Sequence, residues 1–365
     1  MDISENIKTY IERGNTNNKF QFFNINNMDT CYDYYKSYTE MLVDQMSPDN
    51  NIYNKKNRKE FIFKYLWDES VNAGSIEKYE NDFLQINEGT ILKIYNFFYM
   101  LNTRNNTLGL SLEKCIEINI NMYYKNKKNN EEIKTKMILS DNKLRNNLAE
   151  YMAMFAIKFL TAHEIGHIFN GHTAHYLHVR EEIKKLNNNI CKDQLYLDLQ
   201  SMEMDADVFG INRVVDEIVY MINNKDDIFN ILKNSEDIFV LLLYAIHGLF
   251  YLWRLENGYD NMCNYKYKEH PPMFIREGLI YGAASEHLMH ILNNYKLDYT
   301  TKLAEIEFKM NIVNEKNNND YKKFVEKNLL EMKEHGEKIS DNWKNRIAYI
   351  IKNESRLPIE GIDYN

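Results

Sequence analysis

Proline and glycine are scarce in this chain of 365 residues, at four and 13. Both punctuate tight turns and short strands, so their scarcity argues against an all-β fold and favours long helices. Cysteine is sparse as well: Cys31, Cys115, Cys191 and Cys263 lie far apart with no CxxC pair. That argues against a disulfide framework and suits reduced thiols in a cytoplasmic protein. Positive charge is in deficit, since 45 Lys and Arg against 53 Asp and Glu leave a net −8. No nucleic-acid partner held by a basic surface is therefore expected. An uninterrupted membrane-length run is lacking too. The most apolar stretch, residues 238–253 (IFVLLLYAIHGLFYLW), is broken by His247 and Gly248, and a spanning helix needs about 20 apolar residues. A buried helix is expected there, with no stable membrane span. The opening MDISENIKTYIERG carries acidic residues and no apolar centre, unlike a secretory leader.

What is present is a globular mix, 44% apolar and 27% charged, sufficient to bury a core. The length allows one large domain or two average ones. Residues 1–110 read as a helical N-terminal region, rich in Tyr, Phe and Asn, with no assignable chemistry. Residues 111–295 form the expected central core and 296–365 a C-terminal helical region. At 115–122 polar Cys115, Glu117, Asn119 and Asn121 alternate with Ile116, Ile118, Ile120 and Met122, the period of a half-buried strand. A polar turn at 125–130 and a returning strand at 133–139 complete a hairpin. Asp141 is placed to cap a helix running to Asn170-Gly171. Further helices are expected at about 194–222, 226–256, 273–293, 299–314 and 318–352. The fold class is mainly α with a small β element.

The chemistry centres on Thr161-Ala-His-Glu-Ile-Gly-His167, an HExxH pattern inside the helix after Asp141. A helix turns every 3.6 residues, so His163 and His167 project from one face and can hold one metal ion. Glu164 lies beside that face, within reach of a water on the ion. Two imidazoles on Zn²⁺ with a carboxylate as general base is the zincin arrangement. A catalytic zinc needs a third protein ligand and an open position. In Ser201-Met-Glu-Met-Asp-Ala-Asp-Val-Phe-Gly210, Glu203 and Asp207 are four apart and share a helix face. Glu203 can be the third ligand, and Asp207 can accept the N–H of His163 or His167 and fix its tautomer. Ala206 and Gly210 are small enough to let that helix approach the first closely.

Taken together, HEIGH followed by Glu203-Met-Asp-Ala-Asp207 resembles the gluzincin metallopeptidases. The pattern is most similar to the branch of the CAAX prenyl endopeptidases and their minimal soluble relatives, in which a His-Pro segment leads to an Arg. His270-Pro271-Pro272 and Arg276 match that element, and the likeness covers roughly residues 145–280. The layout also resembles Lit-type phage-exclusion peptidases, cytosolic enzymes that cut a host protein. HEIGH occurs as well in repressor-cleaving ImmA/IrrE-type peptidases, which usually carry Asn where this chain has Asp207.

These resemblances imply a zincin-like fold, Zn²⁺ on His163, His167 and Glu203, Glu164 as general base, and a protein or peptide substrate. Arg276, then His270, are the candidates for stabilising the oxyanion. A surface ion pair for Arg276 and a helix-start turn for His270-Pro271-Pro272 are the structural alternatives. His172, His175 and His178 lack metzincin spacing and read as a polar loop or helix face, with His172 a candidate substrate contact. His247 reads as a hydrogen-bonded core residue, and His287 and His290 as surface. Strand 115–122 is a candidate edge for pairing with substrate backbone. The expected activity is narrow or latent, with an activating partner unassigned. The competing readings are a non-catalytic zinc-stabilised binding protein and a membrane-surface protein anchored through 238–253.

Overall fold

The computed structural model describes residues 61–66, 70–78, 81–104, 117–125, 132–186, 192–224, 235–257, 264–291 and 318–357, with a few single positions besides (39–41, 43, 44, 68, 228, 232 and 306). Three strands come first: β1 (Phe61–Leu66), β2 (Ala73–Lys78) and β3 (Asn81–Asn87). β3 is central, parallel to β1 and antiparallel to β2, which leaves β2 at one edge. Helix α1 (Glu88–Arg104) follows, then the antiparallel pair β4 (Glu117–Lys125) and β5 (Glu132–Ser140). The remaining elements are α2 (Lys143–Phe169), α3 (His172–Lys185), α4 (Asp193–Asn224), α5 (Ser235–Asn257), α6 (Met273–Ile291) and α7 (Asn318–Asn342). A π-turn (Trp343–Ile347) and short α8 (Ala348–Ile351) complete the described chain. The fold is mainly helical with a small amount of sheet, as the scarcity of Pro and Gly suggested.

One region differs. Residues 61–87, expected to be helical, form the three-stranded sheet. Phe61, Phe63 and Tyr65 share a register face with Asp82, Leu84 and Ile86, and that face covers α2 through Leu84, Ile165 and Ile168. The alternation in NDFLQIN is a period of two over only seven residues, and it acquires meaning only against a partner. The strands expected at 115–122 and 133–139 are seen as an antiparallel pair over 117–125 and 132–140; residues 115 and 116 and the turn lie outside the described residues. The expected helices at 194–222, 226–256 and 273–293 are present with shifted ends. The expected helix at 299–314 and all four cysteines lie outside the described residues. Asn142, rather than Asp141, caps α2, because β5 runs to Ser140 and the Asn142 side chain accepts from the N–H groups of Leu144 and Arg145.

α2 is the axis of the molecule. From Leu148 to Phe169 every residue is buried, as befits a helix covered on all sides. α1, α4, α5 and the sheet surround it. The polar groups this buries need partners: Lys158 bonds Glu217 on α4 at 2.5 Å, and Glu150 accepts from the Tyr99 hydroxyl on α1. The apolar stretch 238–253 falls within α5. Residues 237–255 are apolar enough to cross a bilayer by composition, yet 83% of the strongest window is buried inside the fold. There Phe239, Leu241, Leu243 and Phe250 are fully covered.

Candidate metal centre

His163 and His167 stand one turn apart on α2, and α4 crosses close beside them. Closeness follows from Gly210: a Cβ there would lie 3.1 Å from Phe159 O and 3.2 Å from His163 N. At the same contact Gly166 leaves room for the Phe209 ring. Glu203 is thereby brought over the two imidazoles, with all three residues buried.

The spacing of the donor atoms decides what this cluster can do. His163 Nε2 and His167 Nε2 are 3.2 Å apart. Glu203 Oε1 lies 3.4 Å from His167 Nε2, and Oε2 lies 3.5 Å from His163 Nε2. An ion with bonds of about 2.0–2.1 Å to a tetrahedral set separates its ligand atoms by about 3.3–3.4 Å. Direct hydrogen bonds would draw such groups to about 2.7–2.9 Å. His163, His167 and Glu203 therefore fit a metal ion, and among the described residues they are the one such group.

Comparisons with protein-family models, curated proteins and solved structures return no match. The site therefore has to be read from its own geometry.

Each imidazole is oriented by a different device. His163 Nδ1 lies 2.9 Å from Asp207 Oδ1, and Arg276 clamps Asp207 through Nε to Oδ2 at 2.8 Å and Nη2 to Oδ1 at 2.7 Å. Asp207 thus serves His163, a choice the sequence left open. Arg276 is buried, with its guanidinium over the rings of Phe250 and Trp253. Facing Asp207 in this way, it orients a ligand's partner instead of presenting a free donor to the site, contrary to its expected role at the oxyanion. His167 Nδ1 meets His172 Nδ1 at 3.0 Å. His172 Nε2 lies 3.2 Å from Asp205 Oδ2, and Asp205 also accepts from Asn170. His172 is fully buried behind His167, contrary to the contact role considered for it.

Sequence reasoning missed this His172–Asp205 support because Gly171 turns the chain back at φ 78°, placing His172 against the residue five before it. His175 and His178 lie further along α3, with His178 exposed. His247 is buried with Nδ1 3.1 Å from Glu277 Oε1, as expected of a core histidine with a polar partner. His287 contacts Asp216 at 2.7 Å, and His290 is exposed.

Charge in the site follows from burial set against neighbours. Burial opposes ionisation of Glu203, yet His270, His167 and His163 outweigh it and hold its carboxyl well below the usual range. Burial likewise opposes protonation of His163, but Asp207 and Glu203 prevail and raise it to about 10. His167 is pushed down by burial. Asp207 is held low by Arg276 against its burial. Burial, with Glu203 nearby, pushes Glu164 up, opposed by His163 and a hydrogen bond from Ser75.

Ser75 belongs to β2, whose neighbours include α2 and α3. The sheet edge beside the HExxH helix is therefore β2. Of the candidate edge 115–122, the described residues from 117 on lie in β4, whose main contacts are with β5. This is a correction: the strand period is local, whereas its neighbour is set by the tertiary fold. His270 precedes α6, and its ring is 58% exposed with Nδ1 only 2.7 Å from Glu203 Oε2. It therefore stands between solvent and the buried carboxylate. Tyr176, with its ring 6.1 Å from that of His167, contacts Glu269 at 3.4 Å on the same rim.

Proposed function

We propose that the chain is a zinc-dependent metalloendopeptidase of the gluzincin kind, hydrolysing a peptide bond in a specific protein substrate. The observation that carries this reading is the ion-sized spacing of buried His163, His167 and Glu203. Glu164 beside them supplies the carboxylate that hydrolysis needs. Two imidazoles and a carboxylate suit zinc and leave one position open, whereas structural zinc sites are closed and favour Cys. Bound zinc would supply Lewis acidity and bring the pKa of a coordinated water towards neutrality.

The chain's own residues divide the work. Asp207, held by Arg276, keeps a proton on His163 Nδ1 and so turns the Nε2 lone pair to the ion; His172 does the same for His167. Glu164 takes a proton from the attacking water on its carboxylate and returns it to the leaving amine. Its burial favours the protonated form, which suits the second half of that cycle, while Ser75 and His163 favour the first. His270 donates an N–H to the developing oxyanion, in the place first considered for Arg276, since it faces the approach from solvent. An extended substrate pairs with β2, an edge strand of its sheet among the described residues, through main-chain hydrogen bonds. The resemblance to Lit-type enzymes adds a cytoplasmic setting, a narrow substrate range and a role in phage exclusion or stress.

The test is a proteome-wide comparison of protein N-termini in cells expressing wild type or Glu164→Gln, with the metal content of both proteins measured. Termini confined to wild type, with equal zinc in both, are the expected result. Equal zinc without new termini would favour a non-catalytic zinc-stabilised binding protein. Absence of stoichiometric metal in wild type defeats both readings.

A further inference from the structure

We propose that Gln200 is a positioning residue for His270, holding the turn that sets this exposed ring over Glu203. The inference rests on the proposed role of His270. Gln200 is fully buried on α4, one turn before Glu203. Its amide Nε2 donates to Tyr265 O and Lys268 O, both at 2.8 Å. Those two carbonyls bracket the single 3₁₀ turn Tyr265–Tyr267. The amide Oε1 is 2.7 Å from His335 Nε2 on α7. An amide offers two donors at one end and an acceptor at the other. The two carbonyl oxygens decide that the donor end faces the turn, which leaves Oε1 to accept from His335 Nε2–H. Were the amide reversed, its oxygen would oppose two carbonyl oxygens.

The consequence reaches His270 through very little chain. Lys268 O is fixed by Gln200, and from Pro272 the backbone is fixed again, because its carbonyl accepts from Ile275 and Arg276 at the start of α6. Only residues 269–271 lie between, and Pro271 is buried with a restricted φ. The other ties on this segment are more exposed: Lys266 to Glu331, and Arg180 to Glu269. Exposed ion pairs of this kind contribute little. A ring more than half exposed ordinarily samples several rotamers, and a loose backbone would multiply them. The buried amide restricts the backbone together with the buried Tyr265 ring, which packs against His335.

A double-mutant cycle tests this on the full chain loaded with Co²⁺, using acetohydroxamic acid as the probe and visible absorption as the readout. Its carbonyl oxygen offers the acceptor that His270 would meet. His270→Ala is expected to weaken binding about tenfold, the worth of one hydrogen bond to a developing charge. Gln200→Met should weaken it several-fold. The double variant should be no weaker than His270→Ala alone, with Co²⁺ stoichiometry and circular dichroism unchanged throughout. His335→Phe keeps a ring against Tyr265 and removes the donor, so it should give a smaller loss that also vanishes in the His270→Ala background. Multiplicative losses in both double variants, or normal binding in Gln200→Met when His270→Ala binds weakly, would overturn the proposal. Unchanged binding in His270→Ala would overturn it too while leaving the metal reading intact; failure of wild type to take up Co²⁺ removes the metal reading itself.

Discussion

At the scale of single residues, the two imidazoles of the HExxH helix are electrostatically unlike. His163 faces Asp207 and Glu203, and its pKa is raised to about 10; that of His167 is lowered by burial. In the ion-free site His163 is thus expected to be doubly protonated at pH 7. Only the neutral imidazole binds a metal. Loading at pH 7 should therefore release about one proton, and affinity should climb about tenfold per pH unit from pH 7 towards 9. Calorimetry in two buffers of different ionisation enthalpy measures this; a heat independent of buffer would contradict it. A second prediction concerns Ser75, whose hydrogen bond lowers the pKa of Glu164. The proposed base must be ionised, so Ser75→Ala should move the acidic limb of the activity profile to higher pH, by about one unit or less. The substrate identified by the terminus comparison serves for that profile, and a shift to lower pH would rule the arrangement out.

At the scale of elements, the site depends on how closely α4 lies against α2. The close approach at Gly210 is to backbone atoms of Phe159 and His163, which cannot swing aside as a side chain can. Gly210→Ala should part the helices by a few tenths of an ångström and destabilise the fold by about 1–3 kcal/mol. Because Glu203 sits on the displaced helix, metal affinity should fall with stability, as thermal melts and metal titration would show. Gly278 on α6 is the control, since a Cβ there meets nothing within 4 Å. Gly278→Ala should be neutral or stabilise by up to about 1 kcal/mol through helix propensity. Equal loss at both glycines would sink the argument from close packing.

At the scale of the whole molecule, the C-terminal segment is built into the site's foundations. Ser201 on α4 donates to Ile339 O on α7, and Asp198 pairs with Arg346 at 3.1 Å. Beyond α8, Arg356 N donates to Phe169 O at the end of α2, and the Arg356 guanidinium pairs with buried Asp82 on β3. One residue thus ties the HExxH helix to the sheet. Arg356→Met should cost about 3–5 kcal/mol by leaving the Asp82 charge buried without its guanidinium, measured by denaturant unfolding. A loss below 1 kcal/mol would mean that the tie is dispensable.

Sequence alone determined the parts of this protein that repeat at short range. His163 and His167 share a helical face because 3.6 residues make a turn, and Glu203 and Asp207 repeat that spacing, so a group that could hold a metal ion was legible in the residue numbers. The long helices and the 117–140 hairpin were legible for the same reason, each carrying its own period. The tertiary structure decided what depends on elements meeting. Which imidazole Asp207 supports, that Arg276 clamps it, that His172 folds back behind His167, and that β2 instead of β4 lies beside α2 are consequences of packing between segments up to about a hundred residues apart. Local periodicity says which face of an element is buried and is silent on what buries it. The sheet at 61–87 was missed on that account, its short strands being stabilised by α2 and by one another.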